Sequence, residues 1–225
     1  MKLGQYELGP NDTPENGIYC GDARELAKAI PDESVDLIFT DPVYDHVDDY
    51  HWLAEIAVQV LRLDSTCLVW CSKRLAARCQ ISMEDAGLGY VYTLDYVVPA
   101  KGFRLNYYHL FLWTTPCLWM QKGRTVPRKW FPDTFISQHP PTGQFKWNKN
   151  TGVIAKWLGL FSSNNGIIFD PFTGGGTVPL VCKMLGLPYL AFEIDPDTCA
   201  MARERVRNTQ PPLFIPEPET QLQMI

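Results

Sequence analysis

The sequence lacks a long uninterrupted apolar stretch, so no segment of it is expected to cross a membrane. Its first residues, MKLGQYELGP, lack the basic start and apolar core of a secretion signal, and we therefore expect the seven cysteines to be thiols in a reducing, cytoplasmic compartment. The cysteines also lack the paired spacing of a metal site, so no metal is predicted. Repeats and long low-complexity linkers are missing too, which favours a single domain over residues 1–225.

Acidic residues are almost missing from residues 96–150. This segment holds eight lysines and arginines against the single acid Asp133, a local charge of 8 − 1 = +7 in a chain of net charge −5. Basic residues interleaved with aromatic ones are typical of surfaces that bind phosphates and unstacked bases, although a solvated loop region with some buried aromatics explains the same composition. We predict a small basic, aromatic recognition segment at about residues 101–150. Its predicted phosphate contacts are Lys101, Arg104, Lys122, Arg124, Arg128 and Lys129.

Strand and helix patterns alternate along the chain. Predicted strands lie at residues 17–20, 35–40, 66–71, 167–170 and 189–192, and predicted helices at 23–30, 50–61, 73–86, 153–161, 178–185 and 196–208. Residues 90–98 and 107–114 are interpreted as an antiparallel pair, followed by a Pro-rich segment at 115–141. This alternation predicts an α/β, doubly wound, mainly parallel sheet with one antiparallel hairpin.

The run IIFDPFTGGGT, residues 167–177, is a buried strand that ends on an acid and enters a glycine loop. Glu193 follows Asp170 by about one strand-helix-strand unit, the position from which a carboxylate binds both hydroxyls of a ribose. Asp170 would repel a pyrophosphate and no P-loop lysine follows, so the pattern favours S-adenosylmethionine, a cationic adenosine derivative, over a dinucleotide. Gly174 and Gly176 would allow its close approach, although glycines needed only for packing remain the alternative.

The run TDPVY, residues 40–44, ends another predicted strand. The lone pair of a base amino group is delocalised into the ring, which makes the nitrogen a poor nucleophile. Asp41 and the carbonyl of Pro42 can each accept one of its N–H bonds, which favours a pyramidal nitrogen with its lone pair directed at a methyl donor. Tyr44 would stack on a base that has been rotated out of the duplex. A simple turn is the alternative, because Asp-Pro is a common turn start.

These two motifs resemble those of the DNA amino-methyltransferases that modify adenine or cytosine. DPVY resembles the catalytic Asp-Pro-Pro-Tyr motif, DPFTGGGT resembles the cofactor motif, and the flanking runs GDARELAKAIPDESVDLIFTDPVY and IIFDPFTGGGTVPLVCKMLGLPYLAFEID extend the resemblance to about a third of the chain. The catalytic motif comes first, as in the circularly permuted, beta-ordered branch of the family. The resemblance implies a Rossmann-like fold that depends on S-adenosylmethionine, with double-stranded DNA as substrate.

The resemblance also assigns site residues. The catalytic set is Asp41, Pro42, Val43 and Tyr44, and the cofactor set is Asp22, Asp170, Pro171, Phe172, Gly174, Gly176, Thr177, Glu193 and Asp195. Val43 stands where the family usually has a second proline. The implied reaction is methylation of the N6 amino group of a flipped-out adenine, with N4 of cytosine as the alternative and a catalytically degenerate DNA-binding module as an alternative of another class.

The end of the chain has a pattern of its own. Residues 221–225, QLQMI, follow the Pro-rich stretch PPLFIPEPE and resemble the short Gln-Leu peptide by which bacterial DNA-processing proteins attach to the sliding clamp. A disordered end is the alternative. A clamp contact is therefore an expectation from resemblance alone.

Overall fold

The computed structural model describes residues 1–10, 16–44, 46–99, 103–137, 150–163 and 165–210, and of residues 103–105 the backbone only. The strands are β1 (Lys2–Leu3), β2 (Tyr6–Glu7), β3 (Ile18–Cys20), β4 (Val35–Thr40), β5 (Leu61–Trp70), β6 (Gly89–Val97), β7 (Phe103–Leu105), β8 (Leu110–Leu112), β9 (Thr114–Lys122), β10 (Thr134–Ile136), β11 (Ile168–Asp170) and β12 (Tyr189–Glu193). The helices are α1 (Ala23–Leu26), α2 (Val47–Val60), α3 (Ala76–Asp85), α4 (Thr151–Phe161), α5 (Thr177–Leu185) and α6 (Pro196–Asn208).

Eight of these strands form one sheet in the order β10-β6-β9-β5-β4-β11-β12-β3. Seven of the eight are parallel, because β9 alone among these described strands runs against its neighbours β5 and β6. The seven parallel strands therefore end at one side of the sheet, which we call the carboxyl edge, and begin at the other, the amino edge. The predicted doubly wound, mainly parallel sheet is confirmed.

Helices cover both faces of the sheet. One hydrophobic cluster packs α1, α2 and α3 on one face, and a second packs α4, α5 and α6 on the other. The central strands are buried on both sides, as in β11, where all three residues are buried. Continuous apolar runs such as VDLIFT and IIFD are therefore the strand signal here, as expected for a sheet with two covered faces.

Capping residues set where the helices of the site begin. Asp195 accepts a hydrogen bond from the Thr198 amide and precedes Pro196, so α6 starts with a side-chain cap and a proline in its first turn. Asn150 caps α4 through the Gly152 amide. By contrast, α5 is preceded by Gly176, which has no side chain to cap the helix and whose φ of 71° is left-handed, so the turn from β11 into this helix depends on backbone conformation.

The predicted antiparallel partner of β6 is wrong. β6 pairs with β9 (Thr114–Lys122). Residues 107–113 instead contribute the end of a 3₁₀ turn and the short strand β8, which among the described strands pairs with β7 alone. Burial explains the difference, because residues 117–120 of β9 are buried while Tyr107 and Tyr108 are 88% and 71% exposed. The aromatic run at 107–113 resembles a strand in composition but does not supply the core.

Other boundaries also differ from the sequence-based expectation. α2 ends at Val60 and β5 starts at Leu61 without a loop, and the parallel edge strand β10 lies inside the segment interpreted as Pro-rich. Within the described ranges, no helix is both long and apolar enough to span a bilayer. All seven cysteines are free thiols, and six of them are buried. The tail motif at 221–225 lies outside the described residues.

Candidate active site

Four strand ends meet at the carboxyl edge of the sheet. β4 ends at Thr40, directly before Asp41; β11 ends at Asp170; β12 ends at Glu193; and β3 leads into Gly21 and Asp22. The order β4-β11-β12-β3 makes each of these ends a neighbour of the next. The register pairs Glu193 with Cys20, and the Gly21 amide donates to the Glu193 carbonyl over 2.9 Å. The fold thus brings both predicted motifs together from opposite ends of the chain.

A buried hydrogen bond joins the two motifs. The Thr40 hydroxyl donates to Oδ1 of Asp170 over 2.7 Å, and the Phe172 amide donates to the same oxygen over 3.3 Å. Asp170 is only 3% exposed, and this burial raises its pKa to about 7, although the hydrogen bonds oppose the rise. Asp170 therefore changes its protonation near neutral pH and at the same time connects the glycine loop to the residue that precedes Asp41.

The loop of the catalytic motif runs from Asp41 to Tyr44. Pro42 is buried, whereas Val43 is 58% exposed, so the Val43 side chain does not fill the space under the loop. Tyr44 is partly buried, and its pKa lies well above the usual value because of burial first, then the Asp41 charge and a hydrogen bond with Asp41. Tyr44 and Asp41 are thus adjacent and directed at one another.

The glycine loop has two glycines with different roles. A Cβ on Gly174 would meet no atom within 4 Å, and its φ is +51°, so this position faces open space in front of the sheet. A Cβ on Gly176 would lie 3.0 Å from Cβ of Ala202 in α6, so Gly176 permits close helix packing. Gly174 is therefore suited to the close approach of a ligand. Gly176 is instead explained by packing, the alternative given above for the glycines of this loop.

The loop is also braced from the side. Nη1 of Arg205, in α6, donates to the Gly175 carbonyl over 2.8 Å and to the Thr177 hydroxyl over 3.2 Å. The Thr173 amide donates to the Phe192 carbonyl of β12 over 2.9 Å. These bonds fix the loop against the next strand and helix, and Arg205 was not identified from the sequence.

Three predicted cofactor acids also perform local structural tasks. Oε1 of Glu193 accepts the Asp195 amide over 2.9 Å, and Oδ1 of Asp195 accepts the Thr198 amide over 2.8 Å. That cap holds the pKa of Asp195 below its usual value. Oδ1 of Asp22 accepts the Arg24 amide over 2.9 Å at the start of α1. Glu193 is half-buried at its strand end, whereas Asp22 and Asp195 are exposed, so Glu193 has the most enclosed position of the three.

Comparison with known proteins shows what this chain is similar to. Residues 101–204 match the N6_N4_Mtase family model, described as DNA methylase. The predicted resemblance to DNA methylases is confirmed. The chain is 25% identical to the Type II methyltransferase M.BamHI of Bacillus amyloliquefaciens, over 92% of this chain and 62% of that one. It is 23% identical to the Type II methyltransferase M.HpaI of Haemophilus parainfluenzae, over 84% of this chain and 73% of that one. The chain thus spans less than two thirds of M.BamHI.

Solved methyltransferases share the fold. M1.HpyAVI in complex with SAM superposes with a TM-score of 0.74 at 22% identity, covering 84% of this chain and 98% of that one. The PvuII DNA methyltransferase, which is cytosine-N4-specific, gives a TM-score of 0.77 at 17% identity, covering 86% of each chain. The predicted methyltransferase fold is therefore confirmed.

A cluster around Phe172, which follows β11, joins the start of the glycine loop to α2. Phe172 meets the edge of Trp52 at 5.6 Å between ring centroids, and the Arg24 guanidinium lies over the Trp52 ring at 5.6 Å. Nη2 of Arg24 also forms an ion pair of 2.7 Å with Oδ1 of Asp49, whose side chain is 12% exposed. Sequence reasoning missed Arg24, Asp49 and Trp52, because their partners are 25 or more positions apart.

The predicted phosphate contacts fall on different edges. Lys122 ends β9 at the amino edge, where its ammonium contacts Glu33 at 3.1 Å and the carbonyls of Val58 and Leu61 at 2.8 Å. The Arg124 amide bonds to Asp64 at 2.8 Å on that edge, and the Arg128 amide bonds to the Leu160 carbonyl at the end of α4. Lys129 follows Arg128. The structure does not bring these four residues together with Asp41.

The remaining basic residues of the segment lie on two connections that start at the carboxyl edge. Arg104 lies in β7, and β7 and β8 form a hairpin between the end of β6 and the start of β9. Lys101 lies outside the described residues, as does the stretch 138–149 with Lys146 and Lys149. That stretch is bounded by Ser137, whose amide bonds to the Val97 carbonyl, and by Asn150, whose Nδ2 donates to the Ser137 hydroxyl over 3.1 Å. Both connections therefore start beside the end of β6.

Proposed function

We propose that this chain transfers the methyl group of S-adenosylmethionine to the exocyclic amino group of a flipped-out adenine in double-stranded DNA. The observation that carries the proposal is the 2.7 Å hydrogen bond from Thr40 to Asp170. It holds an Asp-Pro-Val-Tyr loop and a glycine loop at adjacent strand ends, so that a base at the first loop and a methyl donor at the second lie side by side. The Type II names of M.BamHI and M.HpaI support a role in restriction and modification.

The residues at the glycine loop fit the proposed cofactor. Gly174 leaves open space where a side chain would stand, and Glu193 presents a carboxylate at the end of the next strand. A carboxylate there suits the two hydroxyls of a ribose, and Asp170 offers negative charge to an ammonium group. S-adenosylmethionine supplies an electrophilic methyl group on a sulfonium. The complex of M1.HpyAVI with SAM, which has the same fold, supports this assignment.

Asp41, Pro42 and Tyr44 would prepare the acceptor. The Asp41 carboxylate and the Pro42 carbonyl accept the two N–H bonds of the base amino group, which concentrates the lone pair on nitrogen. Tyr44 stacks on the base face, and its high pKa keeps the phenol neutral at any working pH. The nitrogen forms a bond to the methyl carbon as the sulfur–carbon bond breaks, and the proton that it loses passes by way of Asp41 to water.

The position of the basic connections supports DNA as the substrate. Residues 98–113 and 138–149, which begin at the carboxyl edge, contain four lysines and arginines and no acid. Phosphate binding depends on such residues, because they release counterions from the duplex. The base must leave the stack to reach the recessed end of β4, as in other enzymes that act on a base.

Cytosine is the second candidate acceptor. The cytosine-N4-specific PvuII methyltransferase has the same fold, and its reaction has the same requirement for an activated exocyclic amino group. Asp41 at the first position of the motif is compatible with either base. In the family that the chain resembles, a serine at this position is more typical of enzymes that modify cytosine. We therefore favour adenine.

Analysis of cellular DNA decides among these candidates. DNA from cells that express the wild-type chain is digested to nucleosides and analysed by mass spectrometry, with Asp41→Ala as the control. We expect N6-methyladenine with the wild type and none with Asp41→Ala. N4-methylcytosine would support the second candidate, and the absence of both, with DNA binding retained, would identify a degenerate binding module.

Cofactor binding and chemistry are expected to separate by mutation. Asp41→Ala should abolish transfer and leave cofactor affinity within a few-fold, because its interactions form mainly in the transition state. Glu193→Ala should lower cofactor affinity about ten-fold or more, since a charged hydrogen bond contributes roughly 1.5–3 kcal/mol. Asp197→Ala, an exposed acid in the first turn of α6, is the matched control for charge. Calorimetry and tritium transfer to DNA measure both effects, and an Asp41→Ala protein of near wild-type rate would refute the mechanism.

A further inference from the structure

The β7-β8 hairpin presents an exposed aromatic surface. Its tip holds Tyr107 and Tyr108, 88% and 71% exposed, with ring centroids 5.0 Å apart in an edge-on pair. Leu110, Phe111, Leu112 and Trp113 are each between 39% and 51% exposed, and Phe111 lies 6.2 Å from Trp113 between ring centroids. Contiguous exposed apolar residues of this kind mark an interaction site more often than an ordinary surface.

Strand register places this hairpin beyond the active site. Thr40 of β4 is level with Val69 of β5, then with Leu118 of β9 and Thr93 of β6. β6 continues in the same direction to Val97, and the Val98 amide bonds to the Trp113 carbonyl at the base of the hairpin over 2.8 Å. At about 3.3 Å per residue, the hairpin starts about 13 Å further out than Thr40. It therefore stands outside the edge at which a substrate arrives.

The lateral offset indicates which part of the substrate it meets. β6 is three strands away from β4 in the sheet, which corresponds to about 14 Å at the usual strand spacing. The hairpin base is thus set well to the side of Asp41, whereas Tyr44 lies next to Asp41 and is placed to stack on a base whose amino group Asp41 holds. This offset favours contact of the hairpin with the duplex, rather than with the extruded base.

We propose that Tyr107 and Tyr108 act as a wedge that inserts between base pairs of the DNA beside the target nucleotide. Because this inference rests on the proposed function, its partner is double-stranded DNA. Aromatic faces stack on bases without sequence preference, and inserted apolar side chains unstack and kink a duplex. Residues 98–113 carry Lys101 and Arg104 and no acid, so the charge around the hairpin favours a polyanion over a second copy of an acidic chain. The wedge lowers the cost of turning the target base out of the stack.

Methylation of paired and mismatched duplexes tests the wedge. The substrates contain the methylated site, mapped by sequencing DNA from expressing cells, with the target base either paired or mismatched. Tyr107→Ala with Tyr108→Ala should lower kcat/KM ten-fold or more on the paired duplex and less than three-fold on the mismatched one, whose target base is already easier to extrude. Tyr107→Phe with Tyr108→Phe should retain activity, because it keeps both ring faces.

A binding readout completes the test. 2-Aminopurine placed next to the target base should brighten when the wild type or the Phe variant binds, and stay quenched with the Ala variant. Tyr92→Ala is the matched control, since Tyr92 is 53% exposed and lies within β6, outside the hairpin and the predicted recognition segment. Equal losses on both duplexes, no loss on either, or a change of oligomeric state in the Ala variant would overturn the wedge. A wild type that methylates neither duplex would instead refute the proposed function.

Discussion

The pKa of Asp170 predicts that cofactor affinity rises with pH. Asp170 lies 3% exposed at the end of β11, and burial raises its pKa from the usual 3.8 to about 7. In the proposed complex its carboxylate faces the ammonium group of S-adenosylmethionine, which requires the ionised form. The cofactor-free chain must therefore release a proton from Asp170 near neutral pH before or during binding.

The magnitude follows from the fraction of Asp170 that is ionised. With a pKa of about 7, roughly nine tenths is ionised at pH 8 and roughly one tenth at pH 6, so apparent affinity should fall about ten-fold between them. The sign is that of a raised carboxyl pKa: the cation-binding form is present above pH 7 and lost below it. In the cofactor-free chain the same raised pKa makes stability decline as the pH rises from about 4 to about 7, because the folded state holds the proton more tightly than the unfolded state.

Calorimetry of cofactor binding between pH 6 and pH 8 measures the effect. Repeating each titration in two buffers of different ionisation enthalpy counts the protons released, and we expect close to one at pH 6 and close to none at pH 8. Asp170→Asn is the control, because the amide cannot ionise while it retains an oxygen that can accept from the Thr40 hydroxyl. Its affinity should be lower than that of the wild type at pH 8 and nearly constant over this range.

Two outcomes would refute the reasoning. An affinity that stays within two-fold between pH 6 and pH 8 in the wild type would mean that Asp170 does not need to ionise for binding. The same slope in Asp170→Asn as in the wild type would assign the titrating proton to another group, such as a histidine or the cofactor itself.

Other predictions concern the DNA surface and the glycine loop. The double variant Lys101→Ala with Arg104→Ala should reduce the slope of log affinity for DNA against log salt by about two, because each phosphate contact contributes about 0.9 to it. The double variant Arg124→Ala with Arg128→Ala, at the amino edge, should leave the slope unchanged. Equal slopes in the two double variants, measured by fluorescence anisotropy at several salt concentrations, would contradict this placement. Both Gly174→Ala and Gly176→Ala add a side chain at left-handed φ, at a cost of roughly 1–2 kcal/mol. Gly176→Ala should lower thermal stability more, because only its Cβ would collide with Ala202. Gly174→Ala should instead weaken cofactor binding in calorimetry, and the reverse order of effects would exclude the assigned roles.

The core of the site could be predicted from the sequence, because it depends on local patterns. Apolar runs that end in Asp41, Asp170 and Glu193 are strands, and helices between parallel strands return the chain to the same side of the sheet. Their carboxyl ends must therefore share one edge. The pairing of β12 with β3 likewise brings the strand that leads into Gly21 beside the strand that ends at Glu193.

Contacts between distant positions could not be predicted in this way. The pairs Arg24 with Asp49 and Arg205 with Gly175 depend on how α1, α2, α5 and α6 sit on the sheet, and no periodicity in the sequence encodes that. The distinct roles of Gly174 and Gly176 likewise depend on Ala202, which follows 26 positions after Gly176. Three consecutive glycines signal a tight loop, but only the packing of α6 shows which of them faces open space.

The direction of β9 decides how the basic segment is used. Composition alone joins Lys101, Arg104, Arg124 and Arg128 into one surface, because they are near in sequence. β9 runs from the carboxyl edge at Thr114 to the amino edge at Lys122, and so separates the hairpin from Arg124 by the length of a nine-residue strand. An antiparallel pair of residues 90–98 with 107–114 would also have returned the chain to the amino edge, but it would have kept residues 107–112 in the sheet and left no β7-β8 hairpin beyond it. The buried run of residues 117–120 instead places the return strand at Thr114–Lys122. The hydrophobic core, and not the charge pattern, therefore determines which basic residues lie at the carboxyl edge, where we propose that DNA binds.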